Sequence, residues 1–189
     1  MNELEIIRSQ LAAEQSHAGE VANACAAAFG STGIAASEQA MALFREACVS
    51  YLVWVLARFE ERDQTLSELL LSRQPPADGT AAAGARQLGN LVSRPGTSRE
   101  ALARLESAID AGHSAAAGAA WQEFARFFNS SWAPRRAALE AALAEHSSVA
   151  DWRAVCAIDA DSILDERRRF ARVAEQLPAG IELRRPSRP

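Results

Sequence analysis

The stretch FREACVSYLVWVLARFEERDQTL, residues 44–66, decides the fold, because apolar side chains recur along it at the spacing of an α-helix. One apolar stripe contains Phe44, Cys48, Tyr51, Val55, Phe59 and Leu66. The opposite side is also apolar, and a helix that is apolar all round lies at the centre of a protein or at an interface. We predict a long second helix from about Ser37 to Arg73, which forms a homodimer or binds a partner protein through Val49, Val53 and Leu56.

The rest of the chain also shows helical periodicity, interrupted by turn signals. GSTG at 30–33 and QPPADG at 74–79 mark breaks, and TAAAGARQLGNLV at 80–92 is a short, glycine-interrupted helix or a loop. We predict helices over residues 3–29, 37–73, 97–128, 131–146 and 148–175. This pattern indicates an all-α protein, and we expect an antiparallel four-helix bundle with additional short helices.

Capping residues mark where four of these helices begin, and Ser37 is the expected N-cap of the second. Thr97 and Glu100 have the spacing of a capping box, and Ser148 and Asp151 stand at the same spacing. Ser131 is the expected N-cap of the short fourth helix.

Composition places the chain among soluble globular proteins. It has 189 residues, of which 49% are hydrophobic and 23% charged, and this suits a single domain over residues 1–178. Residues 179–189 end in the basic sequence RRPSRP, and we expect them to form a disordered tail. The net charge of −4 argues against a nucleic-acid-binding face. The chain contains no lysine, which excludes lysine nucleophiles and Schiff-base chemistry.

We expect a cytoplasmic protein that does not span a membrane. The polar N-terminus lacks the apolar core of a signal peptide. The longest apolar stretch, CVSYLVWVLA at 48–57, is about half of a membrane span. Cys25, Cys48 and Cys156 lie far apart on apolar helical faces, so we expect three buried free thiols.

Charged and polar side chains fall inside the apolar stripes when successive residues are placed about 100° apart. They lie near the helix midpoints, which meet at one level in an antiparallel bundle. The sequence therefore predicts a buried polar layer that contains Glu14, His17, His113, Asp159 and Glu166. From the second helix we expect Tyr51 and either Arg58 or Arg62 to join it, because buried polar groups need partners.

Three interpretations of this layer stay open at the level of sequence. In the first, the arginines neutralise the carboxylates and the layer is a structural network. In the second, a metal is bound, since carboxylate and imidazole ligands from facing helices hold iron or manganese in bundles. The metal ligands would then be Glu14, His17, His113, Asp159 and Glu166. In the third, the layer binds a small molecule.

SHAGEVANACAAAFG at 16–30, followed by the stretch at 44–66, resembles the first half of the hemerythrin-like (HHE) helical bundles. The resemblance covers residues 10–145 and implies metal or dioxygen binding. It implies His17 as the ligand of the first helix, Glu60 or Glu61 as that of the second, and His113 as that of the third. The family's second helix carries a histidine four residues before its glutamate, and this chain has leucine or alanine there. The implied ligand set is therefore incomplete.

Two shorter stretches are similar to other helical families. Glu14 and His17 resemble the Glu-x-x-His element of ferritin-like proteins. GHSAAAG at 112–118 distantly resembles a histidine phosphotransfer helix, with His113 as the phosphate acceptor. That family has a lysine after the histidine and a glycine four residues on, whereas this chain has no lysine and Gly118 is five residues on.

The sequence contains no nucleophile elbow, P-loop, dinucleotide-binding glycine pattern or zinc-ligand spacing. We therefore expect a protein that binds or senses without turnover. One hypothesis is a degenerate hemerythrin-like protein that binds a metal or dioxygen. The other is a protein–protein interaction module whose polar layer is purely structural, and histidine phosphotransfer is a minor alternative.

Overall fold

The computed structural model describes residues 3–30, 36–72, 80–92, 98–143, 148–156 and 160–183, and these ranges contain helices and no strands. The prediction of an all-α protein is confirmed. The helices are α1 (Glu3–Gly30), α2 (Glu38–Ser72), α3 (Thr80–Val92), α4 (Ser98–Asp110), α5 (Ser114–Leu143), α6 (Val149–Cys156) and α7 (Ala160–Glu175).

The helix starts at Ser37 and Ser148 follow the sequence prediction. Ser37 accepts a hydrogen bond on its Oγ from the backbone N–H of Ala40, at 3.2 Å. Ser148 and Asp151 form a reciprocal capping box, in which Asp151 N–H donates to Ser148 Oγ (3.3 Å) and Ser148 N–H to Asp151 Oδ2 (2.8 Å). The predicted cap at Thr97 lies outside the described residues.

α2 is the central helix, since it contacts every other helix in the described ranges. This position explains why it is apolar all round. Val49 and Leu56 are buried inside the chain, and the partly buried Val53 packs against the same core. Glu38–Leu69 is also long and apolar enough to cross a membrane, and half of its most apolar window is buried in the protein. A single helix of this kind is weak evidence for a membrane span, because the core helix of a soluble protein passes the same test.

The predicted third helix is two helices, because the chain turns at Gly112. Gly112 has a φ of 68°, a left-handed conformation that favours glycine. Its N–H donates to the carbonyl of Ile109 at 2.9 Å, and the N–H of His113 donates to that of Ala108 at 3.1 Å. These two bonds form a Schellman motif, which ends α4 at Asp110.

α5 continues through Pro134, where the sequence had predicted a break and a new helix capped by Ser131. Ser131 lies inside the helix, and its hydroxyl donates to the carbonyl of Phe127 at 2.8 Å. Proline in a helix interior costs about 3 kcal/mol. Packing of α5 against α3 and α4 offsets that cost.

The C-terminal end of the packed domain lies beyond residue 178. Gly180 has a φ of 92°, Ile181 donates its N–H to the carbonyl of Pro178 at 3.1 Å, and the Ile181 side chain is buried in the core. Leu183 packs against the same core. Ile181 and Leu183 of the expected tail therefore contact the core, and residues 184–189 lie outside the described ranges.

The buried apolar residues form two clusters that follow one another along α1 and α2. The larger cluster contains Ala18 and Phe59, and the smaller contains Ile7, Leu66 and the α6 residues Trp152, Val155 and Cys156. Glu14 lies between the two clusters along α1, and Arg62 lies between them along α2. A polar layer therefore interrupts the core at the level the sequence predicted.

Candidate functional site: a polar layer between two apolar clusters

Glu14 of α1 is fully buried and faces two arginines of α2. Its Oε2 lies 2.6 Å from Nη1 of Arg62, and its Oε1 accepts a hydrogen bond from Nη2 of Arg58 at 3.3 Å. The side chains of Arg62 and Arg58 are 8% and 19% exposed. Arginine pairing compensates the cost of burying the carboxylate.

This ion-pair cluster is incompletely hydrogen-bonded. The buried Nη1 and Nη2 of Arg62 and the buried Nε of Arg58 have no acceptor in hydrogen-bond geometry. Arg62 Nη1 is close to Glu14 but is not aligned as a donor. Burial and the nearby Arg62 charge lower the pKa of the Arg58 guanidinium. Glu14 Oε2 is unmatched as an acceptor in the same way, so the contact between Glu14 and Arg62 is an ion pair without an aligned hydrogen bond.

Glu166 of α7 forms the second half of the layer with residues of α1 and α2. Its Oε1 accepts a hydrogen bond from the Tyr51 hydroxyl at 2.8 Å and lies 2.9 Å from Nδ1 of His17. The His17 ring stacks on Phe170, with centroids 3.9 Å apart and planes 14° apart. Glu166 is 1% exposed and His17 27% exposed, so the imidazole connects a buried carboxylate to the surface.

Glu166 and Tyr51 share a hydrogen bond, and the pKa of each side chain is shifted. Burial alone would raise the pKa of the Glu166 carboxyl, but the hydrogen bonds from His17 and Tyr51 hold it below its usual value. Burial and the Glu166 charge raise the pKa of Tyr51 well above 10.0. Glu166 is therefore an anion, and Tyr51 is a neutral donor, across the physiological range.

The solvent side of the layer is lined by Trp54 and two arginines. The guanidinium carbon of Arg58 lies 4.7 Å from the centre of the Trp54 ring, and that of Arg169 lies 5.0 Å from it. Both are cation–π distances. Arg169 also pairs with Asp165, one turn earlier on α7, at 3.0 Å. Two arginines that are each paired with a carboxylate therefore flank Trp54 at the partly exposed edge of the layer.

Sequence reasoning missed a second buried ion pair next to the layer. Arg135 of α5 donates from Nη2 to Oδ1 of Asp63 at 2.7 Å, and its guanidinium lies over the Phe59 ring at 4.7 Å. Burial raises the pKa of Asp63 in spite of the neighbouring Arg135 and Arg62. Asp63 directly follows the core-facing Arg62 in the sequence. A charged residue at that position of an apolar stripe could have indicated this second buried ion pair.

The cysteines are buried free thiols, as the sequence predicted. Burial raises the pKa of Cys156 to about 11, against the opposing effect of Arg62 and Arg58. Burial raises the pKa of Cys25 as well, and the adjacent Cys48 thiol raises it further. Cys25 and Cys156 are therefore protonated at neutral pH.

Three of the five predicted ligand residues, Glu14, His17 and Glu166, lie in the polar layer. His113 does not: the turn at Gly112 places it at the start of α5, where it is exposed beside an open groove of about 430 Å³ that Arg104 and Ser107 also line. The prediction that His113 faces the core is wrong, because it assumed one continuous helix through residue 112. Asp159 lies outside the described residues.

The layer does not provide the ligand set that the hemerythrin-like resemblance implies. Within the described ranges, no three His, Cys, Asp or Glu side chains are grouped so that they could hold a metal ion. His17 and Glu166 contact each other and do not converge on a shared point, and Glu14 is neutralised by arginines. Glu61, one of the implied glutamates, is exposed.

No family model matches the chain, and no curated protein or solved structure is significantly similar to it.

Proposed function

We propose that the protein works by binding, without turnover, as a helical protein–protein interaction module whose polar layer is structural. The observation that carries this proposal is the pairing of both layer carboxylates with groups on other helices. Glu14 of α1 pairs with α2, and Glu166 of α7 bonds to α1 and α2. The layer thereby joins three helices through directional contacts, and a buried polar group can fix the register of a bundle in this way.

The proposed architecture is an antiparallel bundle of the long helices α1, α2, α5 and α7, with α3, α4 and α6 as additional short helices. Support comes from the contacts of α2 with each of the others and from the contacts of α1 with α5 and α7. In such a bundle the two layer halves lie at one level, with Glu14 and His17 on α1 facing Arg58 and Tyr51 on α2.

The proposal includes association with a second copy of the chain or with a partner protein. The contact surface would not include Val49 and Leu56, because both are buried. Sedimentation equilibrium of the full chain over a wide concentration range tests it. We expect a concentration-dependent dimer or a stoichiometric complex. A strictly monomeric protein that binds no copurified partner would count against the interaction function while leaving the structural role of the layer intact.

Metal or dioxygen binding is the second candidate, and one observation favours it. His17 Nδ1 lies 2.9 Å from a buried carboxylate, an arrangement that orients a metal-ligating histidine through its other ring nitrogen. Elemental analysis of protein prepared with and without oxygen tests this candidate. It requires stoichiometric iron or manganese that is lost in a His17→Ala variant, and metal-free protein from both preparations would reject it.

A further inference from the structure

Two of the three buried thiols lie side by side, one on each of the first two helices. Cys25 of α1 and Cys48 of α2 are both 0% exposed and belong to the larger apolar cluster. The Cys48 thiol is close enough to Cys25 to form a side-chain hydrogen bond with it. Cys156 lies apart from them, on α6 in the smaller cluster. The core therefore contains one pair of free thiols in contact.

The packing of α1 against α2 independently places these two cysteines opposite each other. Arg45 of α2 donates from Nε to the backbone carbonyl of Ala28 at 3.1 Å. Arg58, further along α2, pairs with Glu14, further back on α1, so these two helices run in opposite directions. One cysteine precedes Ala28 by three residues and the other follows Arg45 by three. Both therefore lie about one helical turn from the contact of Arg45 with Ala28, on the facing sides of the two helices.

We propose that Cys25 and Cys48 form a disulfide that cross-links α1 to α2 under oxidising conditions, with a small-molecule disulfide such as oxidised glutathione as the oxidant. The thiolate of one cysteine attacks the small disulfide and releases one small thiol. The second cysteine then displaces the other small thiol and forms the S–S bond of the protein. Two protein S–H bonds are lost, and their protons and two electrons leave with the two small thiols.

Burial determines when this exchange takes place. It raises the pKa of the Cys25 thiol, so the attacking thiolate is scarce in the folded protein, although the charge of Arg45 opposes this effect. Neither cysteine is exposed to solvent, so the exchange requires local opening of the helices or occurs while the chain folds. Once formed, the cross-link restricts the unfolded chain and thereby favours the folded one. The cross-link therefore depends on the redox conditions in which the chain folds.

Refolding of the reduced full chain from urea, in buffers that contain different ratios of reduced to oxidised glutathione, tests the proposal. Both thiols are accessible to the oxidant in the unfolded chain, so burial does not limit the reaction. We expect the oxidised product to lose two hydrogen atoms in mass and to yield, after proteolysis, a peptide in which Cys25 is joined to Cys48. We also expect a thermal unfolding midpoint several degrees above that of the reduced chain, and reduction should reverse this shift.

The matched control is Cys156→Ala, which removes the third buried thiol and should keep both the cross-link and the shift of the midpoint. Cys48→Ala should abolish both. Peptide mapping uses the unaltered chain, so the answer does not depend on the folding of a variant. The proposal is overturned if Cys25 and Cys48 stay free or carry glutathione after refolding, or if either pairs with Cys156. A midpoint that the cross-link lowers or leaves unchanged also overturns it, because the native helices would then not suit disulfide geometry.

Discussion

Glu14 and Arg62 face each other inside the core, with Oε2 2.6 Å from Nη1 and both side chains less than one tenth exposed. Arg58 approaches the same carboxylate from one turn earlier on α2. The sequence placed Glu14 inside the apolar stripe of its helix and left open whether a metal or an arginine would meet it. The arginines are the partners in the described structure, and they neutralise the buried carboxylate.

Removing one member of the buried pair should destabilise the protein far more than removing an exposed one. Arg62→Gln leaves Glu14 with a weaker partner in the core, and we expect a loss of about 3–5 kcal/mol in the free energy of unfolding. Arg104→Gln breaks the exposed pair with Glu123 and should cost about 0–1 kcal/mol. Urea denaturation of both variants gives the comparison, and equal losses would show that the layer is not structural.

Tyr51 is the only tyrosine of the chain, so its ionisation can be followed directly by ultraviolet absorbance. Its pKa is raised in the folded protein, so unfolded chains release the proton first, and stability should fall as pH rises above 10.0. We expect tyrosinate absorbance to appear together with the loss of helical circular dichroism. Ionisation at ordinary alkaline pH in a still-folded protein would show that Tyr51 is not buried against Glu166.

Acid should weaken the fold through Glu166. The folded-state pKa of this carboxyl is lowered, so its contribution is present above the unfolded value near 4.5 and is lost as pH falls below it. Glu166→Gln should therefore be less stable than the original chain at neutral pH, and the difference should shrink in acid. Stability curves from pH 7 to about 3 measure it, and a difference that is constant with pH would contradict the assignment.

Two glycines give a matched test of the turn that removes His113 from the core. Gly112 has a left-handed φ, whereas Gly118 lies in α5, and a Cβ added at either would meet nothing within 4 Å. Gly112→Ala should therefore cost about 1–2 kcal/mol through backbone strain alone. Gly118→Ala should stabilise the helix by about 0.5–1 kcal/mol. Stabilisation by both changes would instead favour a continuous helix through residue 112.

The polar layer was largely predictable from the sequence because it depends on local periodicity. Glu14, Tyr51 and Glu166 each interrupt or belong to an apolar stripe, and each is buried as that position requires. His113 was misplaced because a single left-handed glycine ends α4 and shifts the register of every residue after it. Periodicity alone does not show such a turn, although aspartate, alanine and glycine before His113 suited a helix end.

Features that depend on tertiary packing were not predictable in the same way. The helix through Pro134 survives a local penalty because α3 and α4 pack along it, and no local signal in the sequence reports that packing. The apolar second face of α2 fitted either a central helix or an interface, and only the surrounding helices decide between them. Pairing of Asp63 with Arg135 likewise joins residues far apart in sequence.

A double-mutant cycle between Glu14 and Arg62 measures directly how strongly their contact stabilises the fold. The free energies of unfolding are measured for the original chain, Glu14→Gln, Arg62→Gln and the double variant. We predict a coupling energy of at least about 1 kcal/mol, with the double variant more stable than the sum of the single losses implies. Losses that add to within about 0.5 kcal/mol would contradict the account, because residues that do not interact behave independently.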